Sequence, residues 1–380
     1  ASGGAGTPRN PAADGSGHSY KGSTTCSQGR IAYFVLRQDW LTSPLPEDRM
    51  VGDAGLLVSP EFLFAAAQEC NVLSSEKVCC PDYLLRKVRN LKPVKTAVVG
   101  TGAQVVLEGV RDAVEAGIIE PVLIGDPDVI SAYADEIAWS TKDCEIVAAV
   151  DEIAAGMTGA QLARSGEVEM VLKGHIHTDA FMRPLISRKT GPRSRRRLSH
   201  VFHMTVSGSD AVLMLTDCAV NVAPDVKART SIIHNAVELA HDLGNPRPKV
   251  ALLAASEEIS LAMPVTLECQ KIMNKCVDLA LAADIYGPLA LDNIVSPEAA
   301  RLKGISSSVA GYADIILVPT IEAGNALFKM MVYFLGACAA GIVLGASVPI
   351  LLTSRADPAA ARLASTAVGA IVARTRESRA

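Results

Sequence analysis

The sequence lacks the cysteine spacing of a structural metal site. Its nine cysteines are scattered and odd in number, and the adjacent pair Cys79 and Cys80 is not a C-x-x-C motif. We therefore expect reduced thiols, no disulfide framework and a cytoplasmic protein. His175 and His177 are two residues apart and have no cysteine partner, so zinc is disfavoured and no metal site is predicted.

An excess of basic residues is also lacking. The net charge of the 380 residues is -4, which argues against nucleic-acid binding despite an arginine cluster at 193–197. The first 22 residues are rich in glycine and serine and contain no apolar core, so we expect a disordered start without a secretory signal. Residues 1–80 stay unassigned, with a strand-like run at 31–36, a helix-like run at 60–68 and no chemical motif.

Charged side chains are absent from residues 330–354, a stretch long enough to cross a bilayer. Three glycines and Pro349 interrupt this stretch, and such residues weaken a single spanning helix. We predict instead a buried helix followed by a buried strand at 347–353, and no membrane span.

Strand and helix patterns alternate from residue 82 onward, which favours parallel sheet. The alternation restarts after residue 205, so we predict two α/β units with a cleft. The predicted helices are 82–90, 104–116, 129–136, 155–165, 226–243 and 266–275, and the predicted strands are 96–99, 121–124, 170–172, 198–204, 211–215 and 249–253.

The turn Gly100-Thr101-Gly102 follows the first of these strands but lacks the third glycine of a dinucleotide fingerprint. A tight strand-to-helix turn is the favoured interpretation. A nicotinamide-dependent dehydrogenase is correspondingly disfavoured.

Polar residues are concentrated after the strand at 170–172, in the run from Lys173 to Asp179. A lysine beside a helix N-terminus suits an anion. The structural alternative is that Thr178 or Asp179 caps the next helix while the histidines satisfy buried carbonyls.

Arg196 and Arg197 offer forked donors that match phosphate oxygens, although a solvated surface is the commoner role of such clusters. Asp217, Asn221 and Asp292 lie after strand-like runs, where helix capping or domain contact would also explain them.

Two small-residue turns frame the uncharged stretch: Glu322 to Asn325 before it, and Ser354 to Asp357 after it. The second turn follows an apolar run that is typical of a buried strand. Because ligands bind at the carboxyl ends of strands in α/β proteins, we interpret this frame as an active site.

The combined motifs resemble the phosphate acetyl/butyryltransferases, which transfer an acyl group between coenzyme A and inorganic phosphate. The resemblance covers residues 80–374 and is closest to the butyryltransferase-like branch, including fused enoyl-CoA hydratase/phosphate acetyltransferase proteins, although no hydratase part is recognisable. The six motifs are KGHIHTD from Lys173, RRLSHVFHM from Arg196, TDCAVNVAPD from Thr216, YGPLALDN from Tyr286, ILVPTIEAGNALFK from Ile316 and VPILLTSRAD from Val348.

This resemblance implies two α/β/α domains with mainly parallel sheets, an interdomain cleft and an isocitrate dehydrogenase-like layout. The first domain would comprise residues 81–205 and 344–380, and the second residues 206–343. It also implies a homodimer and no tightly bound cofactor, with an acyl-CoA thioester and inorganic phosphate as substrates.

Catalytic roles are implied for Ser354, Arg355 and Asp357. Ser354 would donate a hydrogen bond and Arg355 would neutralise phosphate and the developing oxyanion. Asp357 stands in for the acidic residue that relatives carry farther along, and orientation of an arginine is slightly favoured over proton transfer. The implied substrate-binding residues are Lys173, His175, Arg196, Arg197, Asn325 and Lys329. The alternative function is a catalytically weak module that senses coenzyme A or acyl phosphate.

Overall fold

A computed structural model describes residues 24–25, 31–32, 73–192, 194–209, 211–353 and 357–379. The chain forms two compact units, Ala1–Cys70 and Asn71–Ala380. In the first unit, strands β1 (Thr24–Thr25) and β2 (Ile31–Ala32) pair antiparallel. The helix-like run predicted at 60–68 lies outside the described residues.

The second unit alternates strands and helices. Its strands are Val94–Val99 (β3), Ile119–Gly125 (β4), Glu145–Ala148 (β5), Met170–Lys173 (β6), Ser194–Thr205 (β7), Val212–Thr216 (β8), Lys249–Leu253 (β9), Asp284–Leu289 (β10), Ile315–Leu317 (β11), Cys338–Ala346 (β12) and Ile350–Leu351 (β13). Its described helices are Asp82–Val88 (α1), Gln104–Glu115 (α2), Pro127–Glu136 (α3), Glu152–Ser165 (α4), Thr178–Ile186 (α5), Val226–Asp242 (α6), Pro264–Asp278 (α7), Leu291–Val295 (α8), Pro297–Leu302 (α9), Ile321–Leu335 (α10) and Ala359–Glu377 (α11).

Side-chain caps explain where several helices begin. The carboxylates of Asp126, Asp151 and Asp225 each precede a helix and accept a hydrogen bond from a backbone N–H in its first turn. Such caps satisfy donors that the helix itself leaves unpaired. Gly166 and Gly336 end α4 and α10 in the left-handed conformation that glycine adopts without a Cβ clash.

One sheet contains all eleven strands, in the order β10-β9-β11-β8-β7-β12-β13-β6-β3-β4-β5. Strands β13, β6, β3, β4 and β5 are parallel to one another, and so are β8, β11, β9 and β10. The long strands β7 and β12 pair antiparallel between these two blocks. The predicted mixed α/β fold with mainly parallel sheet is confirmed, and the domain boundaries stay a prediction.

The apolar core is continuous on one face of the sheet and divided on the other. Helices α1, α2, α3, α6, α7 and α11 cover the continuous cluster. On the opposite face α4 and α5 cover one cluster, while α8, α9 and α10 cover another. Strand β12 contributes to both clusters of the divided face: Val343 belongs to the cluster under α4 and α5, and Ala339 to the cluster under α8, α9 and α10. The two clusters therefore meet near Gly341. This seam lies between the two parallel blocks.

The uncharged stretch differs from its prediction in two respects. Its strand begins much earlier than 347, since Cys338–Ala346 forms β12 and only Ile350–Leu351 forms β13. The prediction of a buried helix was wrong at its end: Met330, Tyr333, Phe334 and Leu335 are 41 to 53% exposed. Among the described residues, no helix is long and apolar enough to cross a membrane.

Candidate active site

Lys173 ends β6 with its side chain buried, only 1% exposed. The next residues pack directly against the Gly100 turn: Gly174 N–H donates to Val99 O at 2.8 Å, and His175 N–H donates to Gly100 O at 2.7 Å. A Cβ on Gly174 would lie 2.2 Å from Gly100 O, so only glycine allows this approach. The two glycine-containing turns are therefore packing elements, which supports the interpretation of Gly100-Thr101-Gly102 as a tight strand-to-helix turn.

Thr353 connects Lys173 to a buried arginine. Its hydroxyl donates to Lys173 O at 2.9 Å and accepts from Arg362 Nη1 at 3.0 Å. Arg362 is 2% exposed; burial lowers its guanidinium pKa, while the nearby Asp357 carboxylate opposes that change. Asp357 is itself buried. Hydrogen bonds thus join Lys173, Thr353 and Arg362, and Asp357 acts electrostatically on Arg362; sequence reasoning selected neither Thr353 nor Arg362.

The residues between Thr353 and Asp357 include two of the predicted catalytic groups. Ser354 and Arg355 lie outside the described residues. In the sequence, Arg362 is the first charged residue after Asp357, and the residues between them are small and apolar. This position could have drawn attention to Arg362. Its burial, however, depends on packing of α11 against the sheet.

A second polar network surrounds Arg197. Arg197 Nη1 donates to Asn221 Oδ1 at 2.9 Å, and Asn221 Nδ2 donates to Asp217 Oδ2 at 2.6 Å. The other oxygen of Asp217 accepts backbone N–H groups of Ala219 and Val220, each at 3.0 Å. Burial raises the pKa of Asp217, and these hydrogen bonds oppose the increase. The network holds the Arg197 guanidinium beside the turn that follows β8.

Arg196 and Arg197 point to different partners. Arg196 Nη2 donates to Glu238 on α6 at 2.7 Å, and its Nη1 contacts His234 on the same helix. Arg196 and Arg197 are consecutive residues of β7, and consecutive side chains of a strand point to opposite faces of the sheet. The predicted pair of arginines is therefore split, and Arg197 is the one attached to the Asp217 turn.

The remaining predicted binding residues are at the surface. His175, Asn325 and Lys329 are exposed, and within the described part of the chain no hydrogen bond joins these three side chains to Arg197 or Lys173. Helix α10, which carries Asn325, nevertheless begins against the Asp217 turn. Ile321 N–H donates to Val222 O at 2.9 Å, and a Cβ on Gly324 would lie 2.8 Å from Cys218 Sγ.

The capping interpretation of Thr178 and Asp179 was wrong. His177 occupies the N-cap of α5 without a side-chain cap hydrogen bond, and its ring bonds to Glu152. Asp179 pairs with Arg183 one turn later at 2.8 Å. Asp292 likewise pairs at the surface, with Lys303 at 3.2 Å. Among the described residues no group of three or more His, Cys, Asp or Glu side chains has the arrangement of a metal site.

Comparison with known proteins decides the family. The sequence pattern of the phosphate acetyl/butaryl transferase family matches residues 144–370. The chain belongs to this family. It is 40% identical to a phosphate acetyltransferase of Rhizobium meliloti over 78% of this chain and 94% of the relative, and 38% identical to a phosphate butyryltransferase of Clostridium acetobutylicum over 77% and 97%.

A solved structure supports the same family assignment. The branched-chain phosphotransacylase of Enterococcus faecalis V583 superposes with a TM-score of 0.64 at 30% sequence identity, covering 73% of this chain and 99% of that one. The fold of a phosphotransacetylase from Streptococcus pyogenes is also similar, with a TM-score of 0.65 at 22% identity.

Proposed function

We propose that the chain transfers a short-chain acyl group between coenzyme A and inorganic phosphate. The observation that carries this proposal is its similarity to acetyl- and butyryltransferases over almost their whole length. The site supports it, because one buried network contains Lys173 and Arg362, close to Asp357, and another presents Arg197. Cationic groups at strand ends are what phosphate and a developing oxyanion need.

The reaction replaces a carbon–sulfur bond with a carbon–oxygen bond. An oxygen of hydrogen phosphate attacks the thioester carbonyl, the tetrahedral oxyanion collapses, and the coenzyme A thiolate leaves as acyl phosphate forms. The proton that phosphate loses ends on the thiolate. Binding both substrates in one site supplies the orientation that this attack requires.

We assign the charge-stabilising role to Arg355 and Arg197, and the hydrogen-bond donor role to Ser354. Asp357 acts as an orienting carboxylate in this scheme. The electrostatic interaction of Asp357 with the buried Arg362 guanidinium supports orientation over proton transfer, because it gives the carboxylate an arginine to orient. Lys173, His175, Arg196, Asn325 and Lys329 remain proposed substrate-binding residues, with Arg196 acting from the α6 side.

The deciding experiment is phosphate-dependent release of coenzyme A from acetyl-, propionyl- and butyryl-CoA. We expect turnover by the intact chain, a collapse in Arg355→Ala and a large loss in Asp357→Asn. The relative turnover rates of the three thioesters would also rank the acyl substrates. Folded protein that binds coenzyme A but releases none would favour the sensing module instead.

We also propose a cytoplasmic homodimer. The exposed apolar end of α10, with Met330, Tyr333, Phe334 and Leu335, supports a partner surface. The free thiols among the described cysteines support a reducing compartment. Light scattering should give twice the chain mass, and Phe334→Glu should shift it toward the monomer, with the exposed Val150→Glu as the control.

A further inference from the structure

Asn235 places a buried amide in the apolar part of α6. It is only 1% exposed, and its neighbours Ile232, Ile233, Ala236 and Val237 belong to the continuous core cluster. Asparagine is a weaker helix former than leucine or alanine, and a buried amide costs free energy unless it is hydrogen-bonded. An apolar residue would therefore suit this position better if packing were its only role.

The amide nitrogen of Asn235 bonds two residues of β7. Nδ2 donates to the backbone carbonyl of Arg197 at 2.9 Å and to Ser199 Oγ at 2.8 Å. A carbonyl oxygen only accepts, so the atom that faces it must be the amide nitrogen. Ser199 is itself fully buried. The amide thus joins helix α6 to the first half of β7 through two hydrogen bonds of normal length.

The Arg197 carbonyl lies where the pairing of β7 with β12 is irregular. The register of the two strands shifts between Leu344 and Ala346, opposite residues 194–199 of β7. Such a shift interrupts the regular hydrogen bonds of a ladder. The Asn235 amide therefore holds the strand backbone at a point where the ladder constrains it less than elsewhere.

A second side-chain amide holds the next carbonyl of the strand. Asn221 Nδ2 donates to Leu198 O at 2.8 Å, and Asn221 Oδ1 accepts from Arg197 Nη1 at 2.9 Å. Asn235 on α6 and Asn221 in the turn after β8 thus fix two consecutive carbonyls of β7. Within the described residues, Asn221 is the one hydrogen-bond partner of the Arg197 guanidinium. A guanidinium has five N–H donors, so others are left for a phosphate.

We propose that Asn235 is a positioning residue for phosphate binding, whose amide fixes the backbone of Arg197 so that the guanidinium is held in one orientation beside the Asp217 turn. The inference rests on the proposed function, in which Arg197 neutralises phosphate. Asn235 is buried and acts through Arg197 rather than on the substrate. Without the amide, the backbone at Arg197 is free to shift, and a displaced guanidinium fork matches the phosphate oxygens less well.

The test compares Asn235→Leu with the intact chain in phosphate-dependent release of coenzyme A. Leucine fills a similar volume and has no N–H to donate. We expect the KM for phosphate to rise about 3- to 10-fold, the effect of one lost hydrogen bond, and the KM for acyl-CoA to stay within about twofold. Thermal unfolding shows whether the variant is folded, and Asn235→Ala takes its place if it is not.

The matched control is Ser199→Ala. This change removes the other partner of the same amide and leaves the bond from Asn235 to the Arg197 carbonyl in place. The KM for phosphate should therefore stay within about twofold of that of the intact chain, even if the melting temperature falls. Equal increases in KM for phosphate in Ser199→Ala and Asn235→Leu would show that the amide acts through buried packing, and the inference would be wrong.

A double variant separates positioning of Arg197 from a general loss of structure. Arg197→Ala leaves no guanidinium to position, so adding Asn235→Leu to it should lower kcat/KM for phosphate by less than about twofold further. If Asn235 instead acts independently of Arg197, the two losses multiply.

Two further results would overturn the inference while leaving the proposed function intact. One is a folded Asn235→Leu variant whose KM for phosphate stays within about twofold of that of an active intact chain. The other is multiplied losses in the double variant. If Arg197→Ala leaves the KM for phosphate unchanged, the assignment of Arg197 is wrong and the role of Asn235 is rejected with it. An intact chain without turnover on any thioester would instead reject the proposed function itself.

Discussion

The side-chain hydroxyl of Thr353 donates a 2.9 Å hydrogen bond to the backbone carbonyl of Lys173, which lies 180 positions earlier in the chain. The bond joins the ends of two neighbouring parallel strands, β13 and β6. Through Arg362 it also connects Lys173 to the surroundings of Asp357. Removing this one hydroxyl should therefore disturb the positions of both Lys173 and Arg362.

Replacing Thr353 by valine should reduce both stability and activity. Valine keeps the shape but leaves Lys173 O and Arg362 without this partner, which costs about 1–3 kcal/mol in the free energy of unfolding. We expect kcat to fall about tenfold or more. Thr353→Ser, which keeps the hydroxyl, is the control for urea unfolding and coenzyme A release; equal losses in both variants would exclude the hydroxyl as the cause.

Asp357 and Arg362 should behave as a coupled pair. Removing one partner takes a favourable charge interaction from the other, which is buried, so Asp357→Asn and Arg362→Met should each destabilise the protein. The double variant should be less destabilised than the sum, with a coupling of about 1–3 kcal/mol. Additive losses in chemical unfolding would show that the two groups act independently.

The sequence predicts the α/β fold because, within each parallel block of the sheet, strands and helices alternate along the chain and each has its own hydrophobic pattern. The strand predicted at 249–253 has the bounds of β9, and the helix predicted at 226–243 is α6 to within one residue. Strand β5, a short and mostly exposed edge strand, was missed although an apolar run at 146–150 overlaps it. The glycine-containing β12 was missed because burial on both faces removes the alternation that marks a strand.

The candidate site was only partly predictable, for a different reason. Lys173 and Asp357 stand in polar motifs at strand ends, where a sequence pattern indicates a site. Thr353 lies inside a recognised motif but was not singled out, and Arg362 lies in none of the six motifs; their roles depend on contacts made on folding, such as the bond between Thr353 and Lys173 across 180 positions. The divergence of Arg196 from Arg197 was missed because β7 begins at Ser194 rather than at 198, so both arginines lie on the strand and alternate between its faces.

Arg197 and Arg196 should respond differently to the same change. Arg197→Lys removes the fork that bonds Asn221, and we expect the KM for phosphate to rise about tenfold, since lysine cannot replace a planar bidentate donor. Arg196→Lys keeps a cation beside the partly exposed Glu238 and should change KM less than about threefold. Phosphate titrations of both variants at fixed ionic strength would separate the two; equal increases would contradict the assignment of Arg197.

Gly345→Ala should disturb the bulge that lies against the Arg197 backbone. Gly345 has a φ of +99°, and a Cβ there would lie 2.5 Å from Arg197 O, a clash with backbone. We expect a loss of about 2–4 kcal/mol in unfolding free energy together with a higher KM for phosphate. Gly208→Ala is the matched control, because its φ is +76° but nothing lies within 4 Å of the added Cβ. Gly208→Ala should lower the free energy of unfolding by only about 1–2 kcal/mol and leave the KM for phosphate unchanged.

Two buried histidines of β7 should make the protein less stable in acid. Burial lowers the pKa of His203 from 6.5 to about 4 and that of His200 from 6.5 to about 3. Between pH 6.5 and these values the unfolded chain binds protons that the folded chain excludes, so stability is complete above pH 6.5 and falls as the pH falls. At pH 5 each histidine should reduce the free energy of unfolding by about 2 kcal/mol relative to neutral pH.

Urea unfolding at pH 7.5 and pH 5.0 measures this loss directly. His203→Gln removes one of the two titrating groups, so the difference in unfolding free energy between the two pH values should shrink by about 2 kcal/mol. Glu145→Gln, on the exposed edge strand, is the control and should leave most of that difference unchanged. If His203→Gln retains the full difference, the proton that destabilises the fold in acid binds elsewhere, and His203 does not hold its neutral form by burial.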